Sequence, residues 1–215
     1  MSRLAVDIVL LPSGPMTDKA IGVNRELVRR YGEKIVLNRE NCFPHLSLCM
    51  GVLERKDIPA VSKILTRIGK KFFSMNLTAT GLPAHPDSKG ERVSDFEIKP
   101  TEQLQLLHET IMKDLAAQFL TYDVTEEMLF SPPPVDEGTF HWIKNYPEES
   151  GFKNFRPHIT AGFGEAEPIE LPIRFTASKL ALCHLGNFCT CRKILASAEL
   201  LQRWDRAFQV GISRC

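Results

Sequence analysis

The chain has no long apolar run, almost no net charge and no cysteine pair spaced like a zinc knuckle. No stretch approaches the roughly 18 uninterrupted apolar residues that a membrane helix needs, so a soluble protein without membrane contact is expected. Lysine and arginine number 27 against 26 aspartates and glutamates, too even a balance for a surface that grips long duplex nucleic acid by counterion release. A small anionic ligand remains compatible with it. The opening run Leu4 to Pro12 is short, contains Asp7 and is followed by no small-residue cleavage site, so it reads as a strand rather than a signal peptide.

Six cysteines (Cys42, Cys49, Cys183, Cys189, Cys191, Cys215) in a chain without a secretory signal read as reduced thiols of a cytoplasmic protein. Cys183-His184 and Cys189-x-Cys191 lack the two-residue gap typical of zinc ligands, and structural thiols are the expectation there. The hydrophobic fraction of 43% and charged fraction of 25% are ordinary for a folded protein. At 215 residues the chain can bury one well-filled core, so a single domain over residues 1–215 is expected.

Local patterns divide the chain into alternating strands and helices. Residues 4–11 are β-rich; a turn at Pro12-Ser13-Gly14-Pro15 leads into a helix over 17–31, stopped by Gly32. Ile35-Val36-Leu37 reads as a short strand. Apolar residues at helical spacing predict a helix over 58–71, and 74–82 with 92–99 read as a hairpin around the turn formers of 85–90. Thr101 caps a helix whose stripe Leu104, Leu107, Ile111, Leu115 and Phe119 carries it to about residue 119. The prolines of 131–138 make that segment a loop. A second hairpin is expected from 173–184 and 190–200.

Two short segments carry chemistry: Pro44-His45-Leu46-Ser47 and, 113 residues further on, Pro157-His158-Ile159-Thr160. Alternate side chains of a strand share a face, so His45 with Ser47, and His158 with Thr160, each present an imidazole and a hydroxyl on the side opposite the aliphatic residues. A given histidine has these neighbours by chance with probability about 0.007, and two such sites in one shuffled chain arise less than about once in a thousand. Phosphodiester cleavage needs a base, an acid and donors for the non-bridging oxygens. Imidazole fits both proton-transfer roles, because its ordinary pKa of about 6.5 populates both forms near neutrality.

The paired motif resembles the signature of the 2H phosphoesterase superfamily, which includes bacterial 2′-5′ RNA ligase-like proteins and the nucleotide-binding domains of kinase-anchoring proteins. The resemblance covers most of the chain. It implies an α+β fold of two pseudo-symmetric lobes, each an antiparallel sheet with helices packed outside, around a central groove. It implies no cofactor and no metal for cleavage. It gives His45 and His158 the roles of acid and base, in either order, and Ser47 and Thr160 those of phosphate-binding hydroxyls. Ser47 stands where the family often has threonine, which keeps the hydroxyl.

Phe43 and Trp142 are candidates to stack a nucleobase and Arg156 to attract a phosphate, with Lys153 beside it; Phe163 reads as core. His85, His108, His141 and His184 lack the motif and read as structural or surface histidines. The expected activity is hydrolysis of 2′,3′-cyclic phosphates or 2′,5′ linkages in nucleotides or RNA ends. A nucleotide-binding sensor or scaffold module and an RNA-end ligase or trimming enzyme are the alternatives.

Overall fold

The computed structural model describes residues 2–87 and 89–202, and Cys215 lies outside them. It is α+β: nine strands among these residues join in one antiparallel sheet with helices packed against it. β1 (Arg3–Pro12) is followed by α1 (Gly14–Tyr31), β2 (Leu46–Glu54) and α2 (Ile58–Gly69), then by β3 (Met75–Gly81), β4 (Ala84–Pro86) and β5 (Arg92–Ile98). α3 (Glu102–Ile111) runs through a π-helical segment (Met112–Ala116) into the short α4 (Ala117–Phe119), β6 (Leu120–Thr121) and α5 (Glu137–Glu149). β7 (His158–Phe163), β8 (Ile173–Leu185) and β9 (Cys191–Glu199) complete the sheet.

The hydrogen-bonded order is β4-β5-β3-β8-β1-β2-β6, with β7 paired to β5 and β9 to β8. β8 organises it. Along one edge it pairs with β1, Val6 opposite His184 through Pro12 opposite Ala177. Along the other its first half pairs with β3 and its second half with β9. β1 is thus flanked on both sides, and its continuous Leu-Ala-Val-Asp-Ile-Val-Leu run is buried on both faces, the pattern of a central strand. β3 and β5 alternate buried and open positions, as strands with one covered face do.

The helices cover the outer face. Met16, Ala20, Asn24 and Leu27 form the buried stripe of α1, which packs on β7. α2 lies against β9 and β8, so close that a Cβ on Gly69 would stand 2.5 Å from the Glu199 carbonyl oxygen. Between them lies the main core, in which Ile8, Leu10, Leu48, Leu65, Phe96 and Leu104 are fully enclosed. A smaller apolar cluster of Val9, Ala181, Cys183 and Cys191, edged by Leu11, Phe43 and Ile194, stands apart from it.

Most of the expected elements are present, and the Thr101 cap is made, its side chain accepting from the Leu104 N–H. Three readings are corrected and one element is added. Residues 35–37 are not a strand: Asn24 of α1 donates to the Ile35 carbonyl and accepts from the Leu37 N–H, meeting backbone needs a ladder would otherwise have met. The hairpin expected from 74–82 and 92–99 is split: His85 and Pro86 belong to β4, which pairs with β5 across the turn, while β3 meets only the far end of β5. α5 was not anticipated. Asp136 caps it, Thr139, Ile143 and Tyr146 form its buried face, and Pro147 sits inside it. Finally, Cys183 and Cys191 are joined in a disulfide across β8 and β9, so these two are not reduced thiols and the cysteine content gives no support to a reducing compartment.

The chain halves do not map onto separate parts of the sheet. β1 and β2 from the first half pair with β8 from the second, and β5 pairs with β7. No helix among the described residues is long and apolar enough to cross a membrane.

Candidate active site

Strands β2 and β7 are separated by β1, β8, β3 and β5 along the hydrogen-bonded path. Even so, their Cα atoms approach within 8 Å. The sheet curves until the two motif strands face each other; His45 enters from the residue just before β2 and His158 from the first residue of β7.

Both imidazoles are held alike. His45 Nδ1 lies 2.8 Å from the Phe43 carbonyl and His158 Nδ1 lies 2.9 Å from the Arg156 carbonyl. In each case the acceptor is two residues earlier, across a buried proline, Pro44 or Pro157. A carbonyl can only accept, so Nδ1 must carry the proton that it donates, and Nε2 is left to exchange protons with a ligand. The segment leading to His45 is itself anchored, the Phe43 N–H donating to the Cys191 carbonyl at 3.0 Å.

The rings differ in setting. The His45 side chain is 13% exposed, whereas His158 is open to solvent. Burial, and then the nearby charge of His158, bring the His45 pKa down to about 4. That His158 affects it at all places the two imidazoles in one electrostatic neighbourhood. At neutral pH His45 is an uncharged proton acceptor.

Ser47 Oγ and Asp7 Oδ2 lie 2.6 Å apart in a hydrogen bond. The same carboxylate oxygen lies 3.7 Å from His45 Nε2. Asp7 is fully buried, and burial pushes its pKa well above the carboxylate range despite hydrogen bonds from Ser47 and the Cys49 backbone. This residue was missed as a site member. The available signal was a carboxyl in the middle of an otherwise aliphatic strand, since such a group is rarely buried without a task. Thr160 is half-buried and stands in register with Asp95 of β5, which has one buried oxygen without a hydrogen-bond partner.

The remaining candidates separate. Phe43 lies beside the first motif, half-buried, and with Pro44, Leu11, Arg39 and Lys179 lines a cavity of about 330 Å³. Trp142 is exposed on α5, its ring edge-on to His141, and no ring contact or hydrogen bond described for it reaches either motif histidine. Arg156 contributes its carbonyl, while its side chain is exposed like that of Lys153. Phe163 is buried and packs edge-on to Phe188.

Of the other histidines, His85 is exposed. His141 pairs with Glu149 on the surface, and His184 contacts the Met128 carbonyl. His108 is buried and structural. No three His, Cys, Asp or Glu side chains among the described residues converge in a set able to hold a metal ion.

Comparison with known proteins yields no matching family model and no matching curated sequence. Solved structures do match. The Thermus thermophilus protein TT0787 superposes with a TM-score of 0.58 at 14% identity, over 93% of this chain and 100% of that one. Escherichia coli LigT, crystallised in complex with 3′-AMP, gives a TM-score of 0.51 at 15% identity, over 94% of this chain and 100% of that one. This chain therefore has a LigT-like fold over nearly all its length.

Proposed function

Starting from that fold and from the twice-built histidine setting, we propose that the chain is a single-domain 2H phosphoesterase that cleaves a small phosphodiester, a 2′,3′-cyclic phosphate or 2′,5′ linkage of a nucleotide or RNA end. One observation carries the reading. Two Pro-His-x-Ser/Thr segments far apart in sequence lead into strands that approach within 8 Å, and each His Nδ1 is hydrogen-bonded to a carbonyl, which leaves each Nε2 for a proton.

The roles follow from the surroundings. His45, held neutral by burial, takes the proton of the attacking water or ribose hydroxyl as base. The donor's part, protonating the leaving oxygen, falls to His158. Ser47 and Thr160 bind the non-bridging oxygens, whose charge grows in the transition state. Holding the phosphorus between two preset rings makes attack and departure collinear. Phe43, at the rim of the adjacent cavity, is the best-placed aromatic for a base. The complex of LigT with 3′-AMP supports a small nucleotide as the ligand class.

The test is turnover of 2′,3′-cyclic nucleotides and 2′,5′-linked dinucleotides with EDTA present. Wild type should turn over, and His45→Ala and His158→Ala should each lose about 10²-fold or more, the range of a general acid or base. Full activity in either variant, or strict dependence on added divalent ion, rejects the reading. Nucleotide binding without turnover favours a sensor or scaffold module instead.

A further inference from the structure

Asp7 occupies a position where a central strand ordinarily carries an aliphatic side chain. It is fully buried between β2 and β8, opposite Met50 and Cys183. Oδ2 meets Ser47 Oγ at 2.6 Å, while Oδ1 is buried with no hydrogen-bond partner. The nearest ionisable nitrogen is His45 Nε2 at 3.7 Å, beyond hydrogen-bond reach. The other titratable groups that sense its charge are Cys49 on β2, Tyr146 on α5 and Cys189 just before β9. All three are acids, and burial makes each harder to ionise. Cys183 is tied up in the disulfide. An ionised Asp7 would therefore be a buried negative charge with no cation within hydrogen-bond reach among the described residues, met only by the Ser47 hydroxyl and the Cys49 N–H.

The hydroxyl of Ser47 has one proton, and the state of Asp7 decides where it points. With Asp7 ionised, Ser47 gives that proton to Oδ2 and offers a phosphoryl oxygen only lone pairs, next to a second negative charge. With a proton on Oδ2, the carboxyl donates to Ser47 Oγ and the serine proton turns toward the ligand. Only the second arrangement makes Ser47 a phosphate-binding donor.

We propose that Asp7, in its protonated form, is a positioning residue that donates to Ser47 and so aims the Ser47 hydroxyl proton at a phosphoryl oxygen. This rests on the phosphodiesterase reading above. Burial, which raises the Asp7 pKa well above the usual carboxylate range, favours the required state, and a neutral carboxyl leaves the lone pair of His45 Nε2 to the substrate. Beside the second motif, Asp95 stands in register with Thr160 and also has a buried oxygen without a partner.

The experiment compares wild type, Asp7→Asn, Asp7→Ala and Ser47→Ala on a 2′,3′-cyclic nucleotide from pH 5 to 9, with His45→Ala and His158→Ala as controls and a thermal melt for each. A carboxamide can still donate to Ser47 but cannot ionise. Asp7→Asn should stay within about threefold of wild-type kcat/KM and lose any alkaline decline that wild type shows. Asp7→Ala should fall about tenfold, toward Ser47→Ala. If the histidine variants are inactive but Asp7→Asn is as poor as Asp7→Ala, a carboxylate charge is needed and the proposal falls alone. If the histidine variants keep their activity, the parent reading falls and takes the proposal with it. Should Asp7→Ala melt below the assay temperature, the pH profile of Asp7→Asn decides by itself.

Discussion

His108 lies flat on Phe155, with ring centroids 4.1 Å apart and planes within 2° of parallel. Its two nitrogens join the motifs from behind. Nδ1 donates to the carbonyl of Leu48, the neighbour of Ser47, and Nε2 accepts from the N–H of Phe152, in the turn that leads to His158. One buried ring thus ties the strand that carries Ser47 to the turn that leads to His158.

Replacing His108 by alanine should therefore cost stability and turnover together. The expected loss is about 2–4 kcal/mol, since the buried Leu48 carbonyl and the partly buried Phe152 N–H lose their partner and a cavity opens. Burial lowers the His108 pKa, so below about pH 6.5 the unfolded chain takes up a proton that the folded ring resists, and stability falls as pH falls. Chemical denaturation at pH 8 and pH 5 checks the sign: the penalty of His108→Ala should be smaller at pH 5.

Asp7 should show the opposite dependence. Its folded pKa is raised, so folded and unfolded chains are both protonated at low pH, and the folded state loses ground as pH rises past the ordinary carboxylate value of about 4. Asp7→Asn should leave stability near pH 4 little changed and raise it at pH 7, by about 1 kcal/mol or more. Melting curves at the two pH values measure this, and equal shifts at both would contradict a raised pKa.

The acid limb of activity follows from His45. A base must be neutral to accept a proton, and His45 stays neutral down to about pH 4. The acid side of the kcat/KM profile, which reports the free enzyme, should break near that value rather than near 6.5. A break at 6.5 would assign the base to another group.

The disulfide closes a short loop, Cys183 and Cys191 being 8 residues apart. A loop of that size is worth roughly 2–3 kcal/mol. Alkylation of the denatured, unreduced protein should leave both cysteines unlabelled, and Cys191→Ser should lower stability by about 2 kcal/mol. Cys191 also accepts from the Phe43 N–H, so the loss should reach the segment that presents His45.

The two Pro-His-x-Ser/Thr segments stand out in the sequence because the pattern is local: a proline, an imidazole and a hydroxyl with the period of a strand. Asp7 was not, because the serine that defines its role lies 40 residues away and only β1–β2 pairing unites them. Ile35-Val36-Leu37 has the composition of a strand, yet Asn24 satisfies its backbone from a helix. α5 was hidden by the run of prolines before it and by Pro147 within it. The disulfide depends on a bulged β8–β9 register that no spacing of cysteines reveals.

The position of β8 has a consequence for dissecting the molecule. β8 pairs with β1, β3 and β9, so a chain cut near residue 100 leaves β1, β3 and β5 in one piece and the strands they pair with, β8 and β7, in the other. Neither fragment can close its own sheet or assemble both histidines. Mixed together they can recover every ladder, which makes the fold a natural basis for fragment complementation, with a recovered cooperative melt reporting that the two pieces have met.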